Sequence, residues 1–99
     1  MNKNLYLQFD PVFLEKTRLT IMTLLYKEQK VSFNLLKDLT ESTDGGLYSH
    51  MQKLIQAGYV QGEKIILENK PSTNYRLTLK GRETYISYLH FLRNEISND

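Results

Sequence analysis

The chain contains no cysteine, which excludes a disulfide framework, a thiolate metal site and a cysteine nucleophile. No apolar run comes near the roughly 18 residues of a membrane span, so no membrane partner is expected. The opening MNKNLYLQFD lacks the long apolar stretch of a signal peptide, and a cytoplasmic protein is the default expectation. Histidine is scarce: His50 and His90 stand 40 residues apart, with no carboxylate pair at a motif spacing beside them. No glycine-rich loop of a recognised phosphate-binding pattern occurs either. Enzymatic activity, a bound cofactor and a metal centre are therefore not expected. Repeats, low-complexity segments and linkers are missing as well. Ninety-nine residues then make one domain, 1–99, with an ordinary core.

What is present is globular in character, 40% hydrophobic and 24% charged. The formal net charge of +2 is unevenly spread. Residues 45–82 carry Lys53, Lys64, Lys70, Arg76, Lys80 and Arg82 against Glu63 and Glu68, a net +4. Residues 1–44 balance at zero and residues 83–99 carry a net −2. A positive segment of this kind suits a polyanionic partner, or it is simply solvated surface.

Asp10-Pro11 is a helix-start signal, aspartate capping and proline at the first helical position. The helix it opens runs to about Lys27, with apolar residues at Val12, Phe13, Leu14, Leu19, Ile21, Met22, Leu24, Leu25 and Tyr26. That is too many for one stripe. A helix apolar on two sides is buried from two sides, and a partner subunit is the simplest supplier of the second surface. Lys30-Val31-Ser32 reads as a short extended piece. Ser32 then caps a helix carrying Phe33, Leu36 and Leu39, which ends near Thr40, with Glu41-Ser42 as the turn. Thr43 caps the next helix, and Asp44 suits its positive dipole end. Leu47, Met51, Leu54 and Ile55 form one helical face, and Gly58 closes the element.

Past Gly58 the period changes. Tyr59 to Glu68 is rich in valine and isoleucine, Asn69-Lys70-Pro71-Ser72 has turn chemistry, and Thr73 to Leu79 alternates. This predicts a β-hairpin. A last helix runs from Thr78 or Leu79 to about Ser97, apolar at Tyr85, Ile86, Tyr88, Leu89, Phe91, Leu92 and Ile96. The predicted class is α+β, mainly α, in the order α-β-α-α-β-β-α.

Two short helices joined by a tight turn, then a two-stranded hairpin, describe a winged helix-turn-helix. The runs FDPVFLEKTRLTIMTLL, VSFNLLKDLTESTDGGLYSHMQKLIQAGYV and KPSTNYRLTLKGRETYISYL resemble the small winged-helix transcriptional regulators related to the MarR and ArsR families. The similarity spans roughly residues 9–92. Its most specific parts are Thr43 to Val60 and the hairpin exit from Asn74 to Arg82, where Asn74 replaces a threonine. The resemblance implies a homodimer that sets one recognition helix per subunit into successive major grooves of double-stranded DNA, with the wing, about 59–79, reaching toward flanking phosphates or a minor groove. The terminal helices would form the dimer interface, with Val12, Phe13, Met22, Tyr85, Tyr88, Leu89, Leu92 and Ile96 as its residues. Leu5, Leu7 and Phe9 are candidates to extend it. An ArsR-type metal sensor is disfavoured by the missing thiolates.

On the recognition helix, about 43–57, the apolar face leaves Gly45, Gly46, Tyr48, Ser49, Gln52 and Lys53 turned outward, and the capping Thr43 joins them as a candidate DNA contact. Adjacent glycines in a first turn sacrifice helix propensity. Either they let the backbone approach DNA and offer free amides to phosphate, or they relax a tight inter-helix turn. Tyr48 and Ser49 suit a thymine methyl or a phosphate, Gln52 an adenine edge, and Lys53 a phosphate. His50, at the edge of the apolar face, either packs or reads a base. Asp44 would repel phosphate, and capping explains it better. On the wing, Lys64, Lys70 and Arg76 are the phosphate candidates, Arg76 alternatively pairing with Glu63 or Glu68. Some relatives carry an arginine shortly after the proline, where this chain has Ser72, which weakens the expected wing contact.

The rival reading is a winged helix that binds protein rather than DNA, since a fold does not determine a function. A small-molecule effector is a further expectation from the resemblance. Phe13, Tyr26, Tyr85, Tyr88 and Phe91 either line a cavity for it or serve as core and interface packing.

Overall fold

The helix that begins at Asp10-Pro11 is two helices, α1 (Pro11–Leu14) and α2 (Lys16–Glu28), in a computed structural model that describes residues 9–97, with side chains as far as residue 94. Leu5, Leu7 and the side chain of Ile96 lie outside the described residues. The break is at Glu15, whose extended backbone interrupts the helix and whose carboxylate then caps α2 by accepting from the Arg18 N–H at 2.9 Å. Asp10 caps α1 as expected, accepting from the Val12 N–H at 3.0 Å. An unbroken helix, at about 100° per residue, would turn Phe13 to the side opposite Met22 and well away from Leu25. The break lets all four reach one core, where each is fully buried.

This corrects the expectation that the excess apolar surface of the first helix is met by a partner. Helix α2 is central. It touches β1 (Val31–Ser32), α3 (Phe33–Thr40), α4 (Asp44–Gln56), β3 (Lys70–Leu77) and α5 (Leu79–Ser97) of its own chain. Phe13, Met22 and Tyr85, assigned to the dimer face, are buried inside one chain and have no surface left to offer.

The remaining strand, β2 (Val60–Leu67), pairs with β3, and β3 with β1, in an antiparallel sheet of order β1-β3-β2. The hairpin closes as Leu67↔Lys70, so its loop is only Glu68-Asn69. Both residues have positive φ, 53° and 64°, as a primed two-residue turn requires. The turn thus comes earlier than Asn69–Ser72, and Lys70 and Pro71 are already in β3. Pro71 is tolerated because β1 covers β3 only at Asn74 and Tyr75, leaving an open edge at the proline.

Helix α5 is joined to the rest by aromatic rings and by its first turn. Phe9 and Phe13 meet Tyr88 edge-on at 5.5 and 5.3 Å, and Tyr85 donates its hydroxyl to Thr23 Oγ1 at 2.8 Å. At the start of α5, Thr78 Oγ1 donates to the Gly58 carbonyl at 2.6 Å and accepts from the Gly81 N–H at 2.9 Å. Lys80 Nζ donates to the Ala57 carbonyl at 2.7 Å. A Cβ on Gly81 would lie 2.0 Å from the Tyr59 carbonyl oxygen. Only glycine allows this approach.

Candidate nucleic-acid interface

Helix α4 exposes its first two turns and is held in place by three separate devices. Thr43 Oγ1 accepts from the Gly46 N–H at 3.0 Å, satisfying one of the free donors of the first turn. Lys37 of α3 reaches Asp44 at 2.9 Å. The hydrogen bond to Asp44, and then its charge, raise the Lys37 pKa above the ordinary lysine value. Asp44 is thus neutralised locally as well as placed at the dipole's positive end, which accounts for an acid beside an expected phosphate contact.

The third device involves a residue that the sequence reading missed. Arg18 is 8% exposed. Its Nε donates to the Val12 carbonyl at 2.6 Å and its Nη1 to His50 Nδ1 at 3.0 Å. Glu15 Oε1 stands 3.7 Å from the same histidine nitrogen. His50 therefore packs against the α1–α2 junction and is turned away from the exposed face of α4. A signal for this existed. Arg18, Ile21, Met22 and Leu25 share one helical stripe, and a cation on a core stripe requires a buried acceptor. Glu15 is partly desolvated, which raises its pKa, but the hydrogen bond from the Arg18 N–H and the Arg18 charge help to outweigh this, and the net shift is downward.

The two glycines separate. Neither has positive φ; the left-handed residue of the inter-helix turn is Glu41, at 52°. The glycines therefore do not relax that turn through a special backbone conformation. A Cβ on Gly46 would meet Thr43 Oγ1 at 3.0 Å, so part of its reason is internal. A Cβ on Gly45 would meet nothing within 4 Å. Around them Tyr48, Ser49 and Lys53 are exposed and Gln52 is half-buried, on the side opposite the buried Leu47, Met51 and Leu54.

The wing divides the expected cations between its faces. Lys64 shares a face with Gly62, Thr73 and Tyr75, and Lys70 and Arg76 lie on the other. The Lys64 face is the one whose base carries the buried Val60, Tyr75 and Leu77, and burial first, then the nearby Tyr48 of α4, raises the Tyr75 hydroxyl pKa. Arg76 is 3.7 Å from Glu63, the intramolecular alternative. The exposed Lys70 follows the turn directly. Of the other interface candidates, Val12, Tyr88 and Leu92 are half-buried and Leu89 is 39% exposed. Leu89 borders an open apolar groove of about 350 Å³ with Tyr26, Ile86, His90 and Arg93. Among the described residues, no group of histidine and carboxylate side chains is placed to hold a metal ion, and no helix is long and apolar enough to cross a membrane.

Comparison with known proteins agrees with this architecture. The model of the winged helix DNA-binding domain family matches residues 17–96. An uncharacterized protein of Methanocaldococcus jannaschii is 33% identical over 79 residues, which cover 80% of this chain and 86% of that protein. The structure of a transcriptional regulator homologue from Pyrococcus horikoshii OT3 superposes with a TM-score of 0.85 at 26% identity, covering 99% of this chain and 97% of that one. A MarR-family protein from Porphyromonas gingivalis shares the fold, with a TM-score of 0.63 at 18% identity, covering 89% and 85%.

Proposed function

This chain belongs to the winged helix DNA-binding domain family, and we propose that it is a sequence-specific transcriptional regulator that binds duplex DNA as a homodimer. The observation that carries this reading is the exposed first turn of α4, where Gly45 faces open space. In this reading the turn lets main-chain amides and the helix dipole approach a phosphate. Tyr48, Ser49 and Gln52 enter the major groove, and Lys53, Lys64 and Lys70 contact phosphates. Two copies join along α5 and the groove bordered by Leu89, spacing the two α4 tips by about 34 Å, one duplex turn. An effector, if the chain takes one, acts on this domain itself.

The test is selection of duplexes from a random pool at low salt, followed by a salt titration of the recovered sequence. Counterion release at several phosphates per dimer gives a steep fall of affinity with salt. The competing protein-binding reading draws on Leu35 and Leu39, exposed one turn apart on α3. A flat salt response, or an empty selection, favours it instead.

A further inference from the structure

His50 faces two groups of opposite sign, and its own proton decides which of them it can bind. Arg18 Nη1 stands 3.0 Å from His50 Nδ1. A guanidinium has donors only and does not shed its proton. Nδ1 is therefore the acceptor, and the proton of the neutral ring sits on Nε2. Glu15 Oε1 lies 3.7 Å from the same nitrogen, and that oxygen already caps α2 by accepting from the Arg18 N–H. The His50 side chain is 24% exposed, so solvent protons reach it, whereas Arg18 is buried. The other charged groups on and around α4 are engaged elsewhere or open to solvent. Asp10, ahead of α1, accepts from the Tyr59 hydroxyl at 3.1 Å. Lys37 of α3 holds Asp44, and Glu63 of β2 stands beside Arg76. Lys16, Lys27 and Glu28 of α2, Asp38 of α3, Lys53 of α4 and Lys64 of β2 are exposed.

We propose that His50 is a positioning residue for α4 worked by its own protonation, so that mild acid weakens specific duplex binding. The inference rests on the DNA-binding reading above. With His50 neutral, no buried side-chain donor or acceptor among the described residues is unpaired. A protonated ring gives up the lone pair that Arg18 uses and sets a second cation against the guanidinium. Its Nδ1–H then turns to the carboxylate in reach, Glu15. The exchange strands Arg18 Nη1 in a buried position, where a donor without a partner is costly. The first turns of α4 thereby lose one of their three supports. Histidine changes charge between pH 5 and 8, a window that leaves ordinary lysines and carboxylates as they are. The step is separate from protonation of Glu15 itself, which is pushed to lower pH. Its sign is distinctive, since added positive charge by itself strengthens binding to a polyanion.

The experiment uses the full chain, a duplex recovered by the selection and a scrambled duplex of the same length, at pH 7.5 and 5.5 and constant low ionic strength. Wild type is expected to lose about tenfold in affinity for the selected duplex at the lower pH, the worth of one hydrogen bond to a charged group. The scrambled duplex should be held at least as tightly as before. His90→Gln, which removes the other histidine, is expected to keep the whole loss. His50→Asn places an amide oxygen near the position of Nδ1 and cannot be protonated; it should bind as wild type does at pH 7.5 and lose nothing at pH 5.5. Nitrogen-15 spectra of the wild-type ring should show the proton on Nε2 at pH 7.5, and this reading stands even where the asparagine variant folds poorly. Specific affinity that is flat or rises on acidification overturns the proposal alone. So does a loss that persists in His50→Asn or vanishes in His90→Gln, or a neutral ring protonated at Nδ1. A selection that returns no duplex overturns the DNA-binding reading, and the proposal with it.

Discussion

The first turn of α4 and the tip of the wing are both exposed, and they are built on opposite principles. The turn has almost no side-chain bulk and is held from three sides, by Thr43, by the Lys37–Asp44 pair and by Arg18 through His50. The tip carries large apolar side chains and is held only by its own ladder and a two-residue turn. Surface read through its backbone has to be rigid, because amides cannot change rotamer to find a partner. A surface that presents side chains can rest on a compliant hairpin, since local adjustment costs little where few contacts are shared.

Breaking the support shared by both regions has the largest expected effect. Gly81→Ala forces a methyl against the Tyr59 carbonyl at the joint between the end of α4, the start of β2 and α5. The substitution should lower stability by about 3 kcal/mol or more, read as a shifted midpoint in urea denaturation. Gly45→Ala sharpens the contrast by acting on the helix alone. With open space for the methyl, stability should rise by about 0.5 kcal/mol from helix propensity, while duplex affinity falls severalfold. A variant that is more stable and binds equally well would separate Gly45 from DNA contact.

The smallest effect is one of pH, and it is confined to the helix side. The Glu15 pKa is lowered in the folded chain, so its contribution is present above the unfolded carboxylate value and is lost as pH falls through the lowered one. Acid should loosen the Glu15–Arg18–His50 anchor and leave the wing untouched. In amide exchange, protection in α4 should fall below about pH 4.5 in wild type, and Glu15→Gln should flatten that dependence.

Much of this was legible in the chain because it is local. Asp10, Ser32 and Thr43 announce their caps, the stripe at Leu47, Met51 and Leu54 orients α4, and the alternation from Thr73 marks β3. What escaped depends on partners far away in sequence. The single extended residue at Glu15 is set by where Phe13 must go relative to Met22 and Leu25, so a continuous periodic pattern concealed it. Arg18 and His50 meet across 32 residues, and only the misplaced charge on the α2 stripe hinted at the pairing. The turn was misplaced because Glu68 and Asn69 adopt positive φ without a glycine to signal it. The same distance effect sent Phe13, Met22 and Tyr85 to a subunit contact: composition counts apolar residues but does not say which neighbour covers them. For the proposed binding surface, the sequence showed which residues of α4 turn outward, and the division of the wing cations between two faces needed the register.

The joint of Thr78, Lys80 and Gly81 with residues 57–59 has a mechanical consequence. It works like a weld between a blade and its handle, with hardly any slack across it. A displacement of the first turn of α5 is thereby coupled directly to the tail of α4. If two copies join along α5 as proposed, the angle at which the two handles cross sets the pitch of both blades together.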